Sequence, residues 1–269
     1  MDVAALIGIG VLTGATTVLF GFGGGFVAVP VVVWADAALG PDAIRVATAT
    51  SALVMVVNAG FATAVTPRRV LLALRGSGLL LLLLAAGASA GALATRVAPP
   101  AVARWAFVGY VALTVADLLL RPGFLRSPAR TEPASGAPRP LSALLGAPVG
   151  AVAAFLGVGG SVMTVPAMRR AGHTMHVATA LASPLTLAIT IPATAVSLGG
   201  SALPTATDAH LHLVGLVDPG AAAALLLGAL PVIAVLRRRP PRIPDRVHAW
   251  SYIGLLALVA VAMLPSRTS

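Results

Sequence analysis

The sequence is poorest in the groups that usually carry chemistry. Its 269 residues include no cysteine, which removes disulfides, thiolate catalysis and cysteine-ligated metals or clusters. Lysine is missing too: all 18 basic residues are arginine, against eight acidic ones. Charged residues make up 10% of the chain, where a soluble domain carries about a quarter, so there is too little charge to coat a water-facing surface. Buried acid, the usual mark of a membrane proton relay, is nearly absent. Only Asp117 lies within an apolar segment, three residues from its end, and a membrane-boundary position is expected of it. With no nucleophile–base pair in view, an enzyme is not expected, and nothing calls for a cofactor.

What fills the chain instead is apolar. Hydrophobic residues make up 58% and the mean hydropathy is +0.97. Several runs have the ~20 residues needed to cross a ~30 Å hydrocarbon core. The fold class is therefore an all-α polytopic membrane protein, with the lipid bilayer as its surroundings. The net charge of +10 does not point to nucleic acid, because the arginines sit in short linkers between apolar runs, as they do in cytoplasmic loops. The first run, Val3 to Phe20, has no basic leader and no clear cleavage site, and is read as part of the mature chain.

One stretch occurs twice. Gly21 to Pro30 read GFGGGFVAVP, and Gly157 to Pro166 read GVGGSVMTVP. After each comes a threonine-rich echo, VATATSAL from Val46 and VATALASPL from Val177. The glycine clusters are 136 residues apart and the echoes 131, so the halves differ by five residues in the intervening loop. Around these markers the chain divides into residues 1–120, a Pro/Arg-rich linker over 121–140, and residues 141–269, each half with four apolar segments. Repeats of this kind are the sequence mark of many transporters.

The segments that hold the clusters are too long. Val3 to Ala35 as one helix would reach ~50 Å, and Leu141 to Ala171 nearly as far. Either each is broken and steeply tilted, or it enters, turns at the glycines and returns. The arginines discriminate. If both long segments cross, the two faces carry eight and ten arginines; if both re-enter, only Arg45, Arg96, Arg104 and Arg267 lie on one face and fourteen on the other. The positive-inside rule favours re-entry, inverted repeats and outside termini.

Such a turn suits an anion. Glycine permits the sharp turn, and a helix restarting after it, from Phe26 or Val162, offers free N–H donors and partial positive charge. Two starts meeting near the membrane centre would hold an anion without a charged side chain. Close helix packing is the plain alternative for any one cluster. Dinucleotide binding is not supported, since Phe26 stands where the third glycine of that fingerprint belongs. Hydroxyls at Thr48, Thr50, Ser51, Thr179 and Ser183 follow the clusters and could add donors, although a single hydroxyl in a helix commonly bonds back to its own backbone. Asn58 is the most polar residue deep in a segment. Asp208, His210 and His212 form a D-x-H-x-H loop too weak to imply a metal, and His173 and His176 suit a headgroup contact.

The paired glycine motif followed by proline, the AxxTS-like stretch Ala47 to Ser51, the basic linker and the two four-segment halves resemble the TauE/SafE sulfite exporter family. The resemblance spans essentially the whole chain. It implies a multi-pass permease of the bacterial inner membrane moving sulfite or an organosulfonate. It also implies site residues Gly21, Gly23, Gly24, Gly25 and Pro30 with Gly157, Gly159, Gly160 and Pro166. Two departures stand out: Ser161 occupies the place of Gly25, and Ala178 to Ser183 lack an adjacent Thr-Ser pair. Two other readings stay open, a transporter or channel of another substrate class and a non-transporting membrane assembly subunit. A homo-oligomer is compatible with the sequence.

Overall fold

A computed structural model describes residues 3–35, 43–121, 124–125, 142–199 and 213–263. Most of the linker and the D-x-H-x-H loop, Asp208, His210 and His212, lie outside the described residues. Among the described residues the elements are helices, with one isolated bridge between Val214 and Val217. The first half contains α1 (Val3–Phe20), α2 (Gly25–Ala35), α3 (Ala43–Ala64), the short α4 (Arg68–Leu71), α5 (Gly78–Val97) and α6 (Pro100–Leu120). The second contains α7 (Gly146–Leu156), α8 (Ser161–Arg170), α9 (Met175–Leu198), α10 (Pro219–Arg238) and α11 (Asp245–Ala262). Six of these, α1, α3, α5, α6, α9 and α10, are long and apolar enough to cross a bilayer. Large apolar side chains such as Leu82, Leu113 and Leu227 remain exposed, as expected where lipid is the solvent.

Each over-long segment is broken at its glycines, α1 from α2 and α7 from α8. The restarts come one residue earlier than expected, at Gly25 and Ser161. Both segments double back. Val27 and Val31 of α2 pack with Leu6 and Ile7 near the start of α1. Ala167 of α8 shares a cleft with Ser142 and Leu145, just before α7.

Glycine sets the helix pairing. α1 and α10 run side by side in one direction: Leu6 packs with Ala221, Gly10 with Leu225, Gly14 with Ala229 and Val18 with Ile233. A Cβ on Gly14 would lie 2.5 Å from the Ala229 carbonyl oxygen, so only glycine allows this approach. α5 and α7 do the same, with Gly87 on Ala147 and Gly91 on Ala151; Thr95 Oγ1 donates to the Phe155 carbonyl at 3.3 Å. The first segment of each half thus packs on the third long segment of the other.

The remaining directions follow from single contacts. α3 runs with α10, since Thr50 meets Asp218 and Ala62 meets Ile233. α6 runs against α11, with Arg104 Nε donating to the Met263 carbonyl at 3.2 Å. One end of the bundle therefore gathers the starts of α1, α3, α6 and α10. The other gathers the starts of α5, α7, α9 and α11.

That second end is tied by charge. Arg169, at the end of α8 with its side chain fully buried, pairs with Asp245 at 2.7 Å and donates to the Phe124 carbonyl at 3.0 Å. Asp245 Oδ1 also accepts from Met175 N at the start of α9. Asp117 pairs with Arg121 at 3.1 Å and Arg170 at 2.6 Å, which fits the boundary position expected for it.

Candidate functional site

The two breaks are built alike. Gly21, Gly23 and Gly24 have φ of 75°, 64° and 87°, and Gly157 and Gly159 have 68° and 69°. These are left-handed values that cost an L side chain ~1–2 kcal/mol. Gly160 departs from the pattern with φ of −79°, where its counterpart Gly24 is left-handed. Space is short as well: a Cβ on Gly21 would lie 2.7 Å from the Thr179 carbonyl oxygen, and one on Gly157 2.9 Å from Thr48 Cγ2. Thr48 and Thr179 occupy matching places in the two threonine stretches, so each break rests on the first turns of a helix from the opposite half.

Both breaks reach one pair of side chains. A Cβ on Gly23 would sit 3.1 Å from Thr186 Cγ2 and 3.2 Å from Met55 Cγ. On Gly159 it would sit 3.1 Å from Met55 Sδ, 3.2 Å from Thr186 Cγ2 and 3.6 Å from the Phe22 carbonyl oxygen. Met55 and Thr186 are separated by the same 131 residues as the threonine stretches. The breaks therefore face each other across two equivalent positions of α3 and α9.

Backbone donors converge there. The Gly21, Val27 and Ala28 N–H groups are bonded within the first hairpin, and those of Gly157, Val158, Met163 and Thr164 within the second. Among the described residues, the N–H groups of Phe22, Gly23, Gly24, Gly25 and Phe26 have no acceptor, nor do those of Gly159, Gly160, Ser161 and Val162. Orphan donors are expected at a helix start, where aligned peptide dipoles add about half a positive charge. Two such starts, α2 and α8, begin at this point and diverge from it.

Unsatisfied side chains cluster at the same place. Asn58 Oδ1, Ser161 Oγ and Thr186 Oγ1 are buried without a hydrogen-bond partner among the described residues, and all three residues are 0% exposed. Leaving such a group unpaired costs ~1–3 kcal/mol. Asn58 Nδ2 donates to the Gly23 carbonyl at 3.3 Å. Its counterpart in the second half is Ile189, whose Cδ1 packs against Gly160, so one half-site is lined by an amide and the other by a hydrocarbon. Tyr252 holds the second restart in place, its hydroxyl donating to the Ser161 carbonyl at 3.2 Å.

The other expected residues divide. Ser51 Oγ donates to the Gly157 carbonyl at 3.2 Å and to Thr48 O at 3.0 Å, and so braces the second break. Gly25 packs against Met55. Thr50 faces away, its hydroxyl accepting from Asp218 N at 2.9 Å. Ser183 accepts from Arg237 at 3.3 Å, and Thr179 Oγ1 bonds back to the His176 carbonyl at 3.2 Å. Pro30 and Pro166 lie inside α2 and α8, five residues past each start. There the missing N–H leaves the carbonyls of Phe26 and Val162 without their helical partner. Residue-type reasoning passed over Met55 and Thr186. The usable signals were the 131-residue offset and the spacing Thr179, Ser183, Thr186, Thr190, which lies along one face of a helix.

No group of histidine and acidic residues among those described is arranged to hold a metal. Neither a curated protein nor a solved structure matches the chain. The family model described as Sulfite exporter TauE/SafE matches residues 6–263, nearly the whole sequence and both glycine breaks. The chain belongs to the TauE/SafE sulfite exporter family and is a multi-pass membrane protein of that transporter family.

Proposed function

We propose that this protein is a permease for a small sulfur oxyanion, sulfite or an organosulfonate, which is held between the two glycine breaks by backbone N–H groups. The observation that carries the reading is the convergence of two half-helix starts on Met55 and Thr186, with N–H groups that have no acceptor and no charged side chain in contact among the described residues. Discontinuous helices with N-termini aimed at an anionic group are a recurrent transporter device. The arrangement stabilises an anion through fixed dipoles and hydrogen bonds that need no reorganisation. A buried lysine or arginine would bind more tightly and release more slowly.

Both hairpins return toward the end at which they start, which supports three crossings per half and an inverted pair of repeats. Sorted by the helix directions, Arg45, Arg96 and Arg104 fall at one end. Arg68, Arg69, Arg75, Arg121, Arg169, Arg170, Arg237, Arg238 and Arg239 fall at the other, which the positive-inside rule makes cytoplasmic. The inside-negative potential then drives an anion outward, by ~2.3 kcal/mol per charge per 100 mV, so export needs no acidic relay.

The test is flux into and out of proteoliposomes under an imposed potential, with sulfite, sulfate, thiosulfate and sulfoacetate as substrates. Gly24→Leu and Gly160→Leu are expected to abolish flux at normal protein abundance. Normal transport by both variants would reject the site. Loss of abundance without any change in flux per molecule would favour a structural subunit.

A further inference from the structure

One buried atom beside the breaks has no use for a bare anion. The N–H groups of both breaks and the hydroxyls of Ser161 and Thr186 can all donate to an anion, but Asn58 Oδ1 can only accept. It belongs to a residue that is 0% exposed and has no hydrogen-bond partner among the described residues. The other end of the amide fixes its orientation. Asn58 Nδ2 donates to the Gly23 carbonyl at 3.3 Å, and turning the amide over would set two carbonyl oxygens against each other. Both amide atoms sit on one carbon, so Oδ1 also lies at the first break, beside Gly23 and Gly24, whose added Cβ would fall 2.8 Å from Nδ2. An anion without hydrogens satisfies the donors there and meets Oδ1 lone pair to lone pair. A buried acceptor left unpaired is costly, so the ligand that completes this site brings a donor of its own.

The repeat sharpens the point. Ile189 stands in the place of Asn58, offset by the same 131 residues, and its Cδ1 packs against Gly160. The first break therefore presents an acceptor where the second presents hydrocarbon. A ligand that matches both is an oxyanion with one protonated group unlike the rest.

We propose that the site takes a sulfur oxyanion carrying one hydrogen-bond donor, and that Asn58 Oδ1 is the acceptor that selects it. Hydrogen sulfite has this chemistry, and so does a hydroxysulfonate. The sulfite dianion, sulfate and sulfonates without a donor lack it. The inference rests on the transport reading for where the ligand sits, and adds which form of it is bound. A site built to bond a substrate hydroxyl rejects an isostere without it, because the buried partner is then left unpaired.

Methanesulfinate is the discriminating probe. It has the charge and pyramidal sulfur of hydrogen sulfite, with a methyl group in place of the hydroxyl. Isethionate and propane-1-sulfonate form the matching pair among sulfonates. Binding is read as ligand-induced thermal stabilisation of the full-length protein in detergent, separately from flux in proteoliposomes. At pH 6, hydrogen sulfite or isethionate should bind about tenfold or more tightly than its methyl partner, the effect of one hydrogen bond to a charged ligand. The pair that shows the preference identifies the source of the donor. Where it is hydrogen sulfite, the apparent Kd for total sulfite should rise about tenfold per pH unit above the second pKa of sulfite, as only the protonated form binds. The titratable and charged groups around the site are His248 on the Leu19 carbonyl, Tyr252 on the Ser161 carbonyl, His176 at the start of α9, and Arg237, held by Ser183. Methanesulfinate does not titrate in this range, so its binding reports on those groups alone. Asn58→Leu should equalise binding within each pair; size-exclusion profiles show whether it folds, and if it does not, the wild-type pairs decide. Equal binding within both pairs, or a preference that persists in folded Asn58→Leu, overturns the proposal. Sulfite flux whose KM for total sulfite ignores pH also overturns it and leaves transport standing. The expected preference in binding, with no probe moved across the membrane, upholds the selectivity and refutes the transport reading.

Discussion

Thr186→Val separates binding from folding at the point where the two breaks meet. The hydroxyl is fully buried and makes no hydrogen bond to a described residue, and Thr190 Oγ1 uses the Thr186 carbonyl, not the hydroxyl, at 3.0 Å. Valine keeps the shape and removes an unsatisfied polar group that costs ~1–3 kcal/mol to bury. Thermal stability in detergent should therefore hold or rise. If the hydroxyl donates to a bound anion, its loss removes a charge-assisted hydrogen bond worth ~1.5–3 kcal/mol, about 10- to 150-fold in affinity. The assay is sulfite flux in proteoliposomes across a concentration series, paired with a thermal melt of the same preparation. A variant that is less stable yet transports normally would refute the reasoning, because the hydroxyl would then be structural. Loss of flux in strict proportion to loss of folded protein would refute it equally.

Further outcomes follow from the same geometry. Gly24→Ala should impair transport more than Gly160→Ala, since Gly24 has φ of 87° with Asn58 Nδ2 2.8 Å from the new Cβ, whereas Gly160 has an ordinary φ and its one close contact is the flexible end of Ile189; equal flux in the two would contradict this. Gly91→Leu should lower abundance and thermal stability, because the position meets the Ala151 backbone and no rotamer relieves that, and normal expression would count against the helix pairing. Asp245→Ala should destabilise by ~1–3 kcal/mol, since it strips the carboxylate from the buried Arg169 guanidinium while the carboxylate itself is a quarter exposed, as read by thermal or denaturant unfolding. A reporter fused at Ser269 should be inactive in the cytoplasm, and cytoplasmic fluorescence there would reverse the assigned orientation.

Much of the fold could be read from the chain because lipid leaves few options. Apolar runs of ~20 residues must be helices, and the three apolar runs that follow the glycine-bearing segment in each half are all helical, as α3, α5 and α6 and as α9, α10 and α11. α11 starts at Asp245, four residues before its apolar run begins at Ala249; the polar turn there is held by Asp245 pairing with Arg169, a partner 76 residues earlier that hydropathy cannot see. The glycine breaks were legible because excess length and duplication marked them together. Which hydroxyls face the breaks was not. Thr50 and Thr186 are both threonines on central helices, but one is taken up by the start of α10 and the other sets its Cγ2 against both breaks, with its hydroxyl buried and unpaired among the described residues. That choice depends on helix rotation, which is set by packing partners such as Gly14 on Ala229 and not by local sequence. The difference between Asn58 and Ile189 at matching positions likewise becomes meaningful only once both are known to touch Gly24 and Gly160.

The central claim is that one anion sits between the two breaks, and selenite, the heavier analogue of sulfite, tests it directly. Anomalous diffraction from crystals grown with selenite should show one peak within ~2.7–3.2 Å of N–H groups from both Gly23–Phe26 and Gly159–Val162, beside Thr186. A peak bound by only one break, or none there while sulfite flux is intact and inhibited by selenite, would contradict the account.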